Sequence, residues 1–337
     1  MTDTPILTLA SAKTAAKKLL KLLKAGDHAA VSLAESHGIS PSSAKLADAL
    51  HLKAKSEGHS SWPELKRALE LREASALGPE AIARQLLTEN WKEALVLAKK
   101  LPSEARKHPC LALALTDAPG LTQLIKAGLN VNEKVPGMDM EPLLIVCQSR
   151  VPGKGATDCA RILVEAGADL EAKWFHPGWP ESPLGALYGA SGIRRDPELT
   201  ELLLKAGINS DDGESVYHAT EVEDTTCLRL LLKHGATIEK TNALNHQLDT
   251  ERMEGLDLLL EAGADPDEPG LAPALHWAIK NGRSARIIQR LLDAGADVAR
   301  EWHGATARSL AVLSGNGEAA ALIAGRGGPI SVAAAAL

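Results

Sequence analysis

Residues 273–298 read PALHWAIKNGRSARIIQRLLDAGADV, and two phrases within them decide the fold. The first, PALHWA, opens a helix. The second, LLDAGADV from 291, puts apolar residues in a last helical turn and then Gly295, which takes a left-handed C-cap conformation at no steric cost. Both phrases recur along the chain. The ending appears as LIKAGLNVN at 124, LVEAGADLE at 163, LLKAGINSD at 203, LLKHGATIE at 231 and LLEAGADPD at 259. The opening appears as HPCLAL at 108, EPLLIV at 141, SPLGAL at 182, SVYHAT at 215, ALNHQL at 243 and TARSLA at 306, so successive units start 28 to 41 residues apart. Each unit predicts two antiparallel helices and a connecting loop. Composition agrees, because the apolar content comes from Leu and Ala, strong helix formers, while β-branched residues are sparse and aromatics make up 3%.

Taken in order, these phrases resemble the ankyrin-repeat family. PALHWAIKNG followed by IIQRLLDAGADV is similar to that family's Thr-Pro-Leu-His helix start, Asn-Gly inter-helix turn and Leu-Leu-x-x-Gly-Ala-Asp ending. The resemblance covers 108–327 and extends more weakly to 79–107, where PEAIARQLLTENWKEALVLAKKLPSEA reads as a helix pair without the signature residues. It implies an all-α solenoid of about eight stacked helix pairs with degenerate caps. The implied organisation is a helical segment over 1–75, a degenerate first pair over 76–107, the repeat array over 108–327 and a tail over 328–337. The implied function is a non-enzymatic, monomeric scaffold that binds another protein through its concave face and fingers, with no cofactor. His218, His246 and His276 match the signature histidine, whose role in the family is to hydrogen-bond the backbone of neighbouring loops.

The loops depart from a uniform pattern. In the family the segment from the glycine to the next helix start is a β-hairpin finger. Here it is long after Gly128 and Gly167, short after Gly207 and Gly235, and intermediate after Gly263 and Gly295. The turns SRVPGKGATD and GASGIRRDP are also lengthened, and insertions in a solenoid map to loops.

The finger ADLEAKWFHPGWPE, from 168, holds Trp174, Phe175, His176 and Trp179. Rings in a proline-stiffened loop suit a binding hot spot, since they bury a large area at low entropic cost. The other reading packs them over the loop 129–140, with Met138 and Met140 as partners. Trp302 and His303 in a later finger are secondary contacts, and Asp211 and Asp212 in the low stretch between suggest a partner with basic groups.

Residues 1–75 do not fit the repeat. ILTLASAKTAAKKLLKLLKAGD reads as an amphipathic helix with Lys13, Lys17, Lys21 and Lys24 on one face and Ala16, Leu20 and Leu23 on another. Two further helices follow, broken at Gly58, with Ser60 or Ser61 as N-cap before Trp62 and Pro63. The segment is similar to a helical preface of some bacterial ankyrin-repeat proteins, which points to a bacterial source. Lys and Arg to residue 72 number 11 against 7 Asp and Glu, giving about +4 there and about −10 in the rest of a chain of net charge −6. A basic amphipathic helix can meet nucleic acid or an anionic membrane; a solvated lysine face on a capping helix is the simpler expectation.

Signatures of chemistry are missing. There is no HExxH, GxSxG or Walker-type motif. GNGEAA at 315 falls where a tight inter-helix turn belongs, and PGKG at 152 reads as a flexible turn. Equivalent histidines of adjacent units stand about 10 Å apart, the helix-packing distance, which is too far to share a metal. Asp169, Asp265 and Asp297 sit on separate units, where turn-stabilising bonds are their expected use. Cys110, Cys147, Cys159 and Cys227 form no CxxC pair and are expected as buried thiols. With no basic region ahead of an apolar core at the N-terminus, the expected location is cytoplasmic. A small-ligand pocket between the two long fingers is the remaining alternative.

Overall fold

The computed structural model describes residues 7–175 and 181–331. Contacts divide the chain into two units, one running to Leu115 and including Pro136–Met138, the other holding Thr116–Val135 and the chain from Asp139 onward.

The first unit begins with α1, Leu9–Lys24, whose N-terminus is closed by a capping box. Thr8 Oγ1 accepts from Ser11 N at 3.0 Å and Ser11 Oγ accepts from Thr8 N at 2.8 Å. After α2, His28–Ser36, and a 3-10 turn at Pro41–Ser43 come α3, Leu46–Ser56, and α4, Trp62–Leu86. The repeat-free sequence pattern does not mark α2 as a helix of its own. Ser61 caps α4, which breaks at Gly78 (φ +76°) ahead of Pro79, so the helix pair expected over 79–107 is the last stretch of α4 with α5, Trp91–Lys100. Two small cores hold these helices: Leu23, Ala30, Ala34, Ala44 and Leu52 in one, and Ala12, Ala54, Leu65 and Leu69 in the other. A short α6, Ser103–Arg106, leads to α7, Pro109–Ala114, which packs on α4.

In the second unit, α8 (Ala118–Lys126) precedes six helix pairs. They are α9 (Pro142–Gln148) with α10 (Gly155–Glu165), α11 (Ala186–Tyr188) with α12 (Pro197–Lys205), and α13 (Ser215–Ala219) with α14 (Thr226–Lys233). Next come α15 (Ala243–Gln247) with α16 (Met253–Glu261), α17 (Ala274–Lys280) with α18 (Ala285–Asp293), and α19 (Ala307–Leu313) with α20 (Gly317–Gly325). First helices stack on first helices from α11 to α19. Second helices do the same, as in α8, α10, α12 and α14. Between the layers lie aliphatic side chains such as Leu203, Leu228, Leu231, Leu256, Leu259, Ile288 and Leu291.

The lengthened turn after α11 is a π-helical run, Gly189–Arg194, ending on Arg195 at φ +55°. Among the described residues, strands are confined to two loops. β1 (Trp174–Phe175) pairs antiparallel with β2 (Pro183–Leu184), and β3 (Glu301–Trp302) with β4 (Ala305–Thr306). His303 and Gly304 join β3 to β4 with φ of +50° and +78°, the two left-handed positions that a tight hairpin turn of this hand requires.

A ladder of side-chain acceptors sets the spacing of the loops. Two residues past five of the six helix-ending glycines, Asn130, Asp169, Asn209, Asp265 and Asp297 each accept from the backbone N–H two residues on, at 2.8–3.0 Å. Four residues past the glycine, the side chain reaches the next unit. Asn132 accepts from Asp169 N at 2.7 Å, Glu171 from Asn209 N at 2.7 Å, Asp211 from Thr237 N at 2.6 Å and Asp267 from Asp297 N at 2.6 Å. The rung from Glu239 is absent among the described bonds. Lys240 N instead donates to Glu268 Oε1 at 2.5 Å, so the tie between these two loops runs in the opposite sense, with the acceptor on the later loop.

No helix among the described residues is long and apolar enough to cross a membrane.

Candidate interaction surface

The core of the second unit is aliphatic, and its described aromatic rings all lie elsewhere. Tyr188, Tyr217 and Trp277 are on first helices; Trp174, Phe175 and Trp302 are in the two hairpins, and none of the six is buried. Rings that fill no core space are placed where a partner can reach them.

Three rings on first helices, Tyr188, Tyr217 and Trp277, form a row with histidines that continues to Trp302 in the β3–β4 hairpin. Tyr188 lies 4.8 Å from His218, centroid to centroid; Tyr217 lies 5.0 Å from His218 and 4.2 Å from His246. Further along, Trp302 lies 4.5 Å from His303 and 6.1 Å from His276. Lys280 Nζ sits 4.4 Å from the Trp277 ring centre and 5.9 Å from that of Trp302, within cation–π range of both. Asp249, in the turn after α15, accepts from Trp277 Nε1 at 2.9 Å and from Asn281 Nδ2 at 3.0 Å, joining the two halves.

Charge along the row is mixed. Glu221 accepts from Arg195 at 3.1 Å, while His218 places Nδ1 2.8 Å from Glu221 and Nε2 3.4 Å from Glu214. His246 Nδ1 lies 2.8 Å from Thr220 Oγ1 of the preceding unit, and burial pushes its pKa below the usual imidazole range. His276 Nε2 donates to Ala305 O at 2.9 Å, and burial lowers its pKa too. A bond of the kind His276 makes is supplied one unit earlier by Asn245, whose Nδ2 donates to Ala272 O at 2.8 Å. His218 and His246 therefore stand one place beyond the signature position. Counted from the N-caps Glu214, Asn242 and Pro273, they align with Trp277.

The remaining sequence-selected residues fall as follows. Trp174 is half-buried and Phe175 is 57% exposed in β1; His176 and Trp179 lie outside the described residues. Met138 and Met140 are buried. Asp211 and Asp212 border a cleft of about 140 Å³ with Thr237 and Glu239, and both carboxylates are engaged with backbone. Asp211 is a ladder rung, and Asp212 accepts from Ser215 N at 2.7 Å at the start of α13. Trp302 and His303 are together with His276; Tyr188, Tyr217, Trp277 and Lys280 were not selected. Numbering each unit from its N-cap brings Trp277 to the offset of His218 and His246, but no such signal marks Tyr188, Tyr217 or Lys280.

Burial raises the thiols of Cys110, Cys147 and Cys159 to about 12 and that of Cys227 to about 11, so all four stay protonated and unreactive at neutral pH. Among the described residues no group of three or more His, Cys, Asp or Glu could hold a metal ion.

Comparison with known proteins agrees with the repeat. Residues 272–301 match the family profile described as Ankyrin repeat. None of the curated protein sequences compared matches the chain. Among solved structures, the chain is similar to the human ASB11 ankyrin repeat domain, with 23% identity over 59% of this chain and 89% of that one, at a TM-score of 0.48. It is also similar to the ankyrin repeat domain of Bcl-3, a member of the IkappaB protein family, with 26% identity over 56% and 86%, at a TM-score of 0.46. The profile falls on the α17–α18 pair and its flanking loops, the unit with which the sequence reading began, and the chain carries a mostly helical ankyrin-repeat domain of many stacked helix pairs.

Proposed function

We propose that the chain is a non-enzymatic scaffold that binds a protein along the row from Tyr188 to Trp302. The observation that carries this reading is the separation of roles in the second unit, where aliphatic residues fill the core and the described rings stand clear of it. Interfaces concentrate binding energy in such aromatic anchors. Ankyrin repeats are typically protein-interaction modules and are usually non-catalytic. The hydroxyl nearest His246 belongs to Thr220, only 1% exposed, so that pair is closed to a substrate.

Phe175 and Trp174 are proposed as a second contact at the β1–β2 hairpin. The test is affinity capture from lysate, comparing wild type with Tyr217→Ala/Trp302→Ala and with Trp174→Ala/Phe175→Ala, each checked by circular dichroism. A protein held by wild type and released by the folded Tyr217/Trp302 variant supports the row. Equal capture by both variants and wild type removes it.

A further inference from the structure

Helix α1 has the sequence LASAKTAAKKLLKLLK, with five lysines and no acidic residue. Its apolar face is already occupied, since Ala12, Ala16 and Leu23 are buried and Leu19 and Leu20 pack on the core. Lys13, Lys17, Lys18, Lys21 and Lys24 are all exposed. Among the described residues, the lysine ion pairs of this unit are made by Lys53, Lys66, Lys100 and Lys107, none of them on α1. At about 100° per residue, Lys13, Lys17, Lys21 and Lys24 share an arc of about 80°, and at 1.5 Å rise they span about 16 Å. Among the described residues no ion pair engages this row of positive charge on a capped, packed helix.

The chemistry of the row selects among polyanions. A membrane-surface helix holds itself by an apolar face in the acyl boundary, and that face of α1 is taken by its neighbours. Single-stranded nucleic acid needs aromatic platforms, but α1 has none, and Trp62 packs into the core beside Ala12. A duplex presents charge far beyond 16 Å. Outside α1, the first unit carries 12 basic and 12 acidic residues, so a longer polyanion gains no net attraction beyond the row. An acidic helix fits instead, because Asp or Glu at i, i+4 repeats about every 6 Å, the rise between Lys13, Lys17 and Lys21.

We infer that the lysine row of α1 docks an acidic helical segment of a partner protein, about three turns long, with a carboxylate on one face at each turn. This surface is separate from the aromatic row and does not rest on it. The probe is a fluorescein-labelled helical peptide of Ala and Gln with Glu at i, i+4 spacing, titrated against the full chain and followed by anisotropy. A permuted peptide of the same composition, with its Glu spread around the helix, is the specificity control. Losing four exposed pairs predicts that Lys13→Gln/Lys17→Gln/Lys21→Gln/Lys24→Gln weakens binding about 10-fold or more, and that added salt weakens the wild type far more than the variant. Helicity is unchanged in the variant, and Tyr217→Ala/Trp302→Ala binds the peptide as wild type does. The proposal is overturned if wild type does not bind, if the lysine variant or the permuted peptide binds as well, or if duplex DNA or phosphatidylserine vesicles bind more tightly than the peptide.

Discussion

His276 shows how one side chain fixes both a contact and a pH dependence. Its Nε2 donates to Ala305 O, so the neutral ring carries its proton there, and Nδ1 is buried with no partner. A second proton would bury an N–H with no acceptor, which is why burial holds the pKa below the ordinary 6.5. As pH falls, the unfolded chain takes up this proton first. Stability is therefore fully present above the unfolded value and is lost as pH drops through it toward the folded one; His246, also lowered by burial, acts in the same direction. His276→Gln keeps an Nε2 donor and removes the titration. Urea unfolding should find it within about 1 kcal/mol of wild type at pH 7, with less loss between pH 7 and pH 5, while His276→Ala costs about 1–3 kcal/mol at pH 7. A pH slope identical in wild type and His276→Gln would show that the imidazole does not titrate against folding. The signature histidine was legible at 276 because Pro273, Leu275 and Gly282 surround it in pattern. At 218 and 246 the same letter appears one residue late, and only the N-caps reveal that Asn245 has taken the bonding place.

At the scale of elements, loop lengths and helix ends were legible, because glycine and proline act through local backbone geometry. Ties between loops were not, since they depend on which side chain meets which N–H across about 26 to 38 residues of sequence. Asp211 was chosen for its charge, yet its carboxylate is a rung to Thr237. Asp211→Ala should lower stability by about 1 kcal/mol, the net worth of such a bond. Glu239, four residues past its own glycine but without a rung among the described bonds, should tolerate Ala within about 0.5 kcal/mol. Matched urea curves for the two variants check this, and equal losses would reduce the ladder to coincidence. The π-helical run after α11 was also hidden, because two glycines there serve close packing. A Cβ on Gly189 would stand 2.8 Å from the backbone carbon of Cys147, and one on Gly192 2.9 Å from Cβ of His218.

Across the whole molecule, the stacked architecture was legible because the repeat is written in the chain itself, whereas the aromatic row was not. Trp174, Phe175 and Trp179 drew attention by lying together in sequence; Tyr188, Tyr217, Trp277 and Trp302 are far apart in sequence and come into one row only through the stacking of successive units. That same stacking limits how far a perturbation travels. Each helix pair of the second unit touches its neighbours and little else, so stability is a sum of pair terms and nearest-neighbour terms. Leu259, fully buried in α16, provides the test. Leu259→Ala should cost about 2–5 kcal/mol locally through lost burial and the cavity left behind. Native-state hydrogen exchange should then show protection falling in α13 to α18, with the largest loss in α15 and α16, while α8 to α10 keep the wild-type rates. An equal loss in every helix of the unit would mean that the array opens as one cooperative body, and that a partner seated on Tyr217 would stabilise Trp302 and Trp174 alike. Graded loss means that ordering spreads from a bound partner only to adjoining pairs, so occupancy at Tyr217 would steady the β1–β2 hairpin ahead of α11 while leaving Trp302, beyond the α17–α18 pair, to be engaged by its own contact.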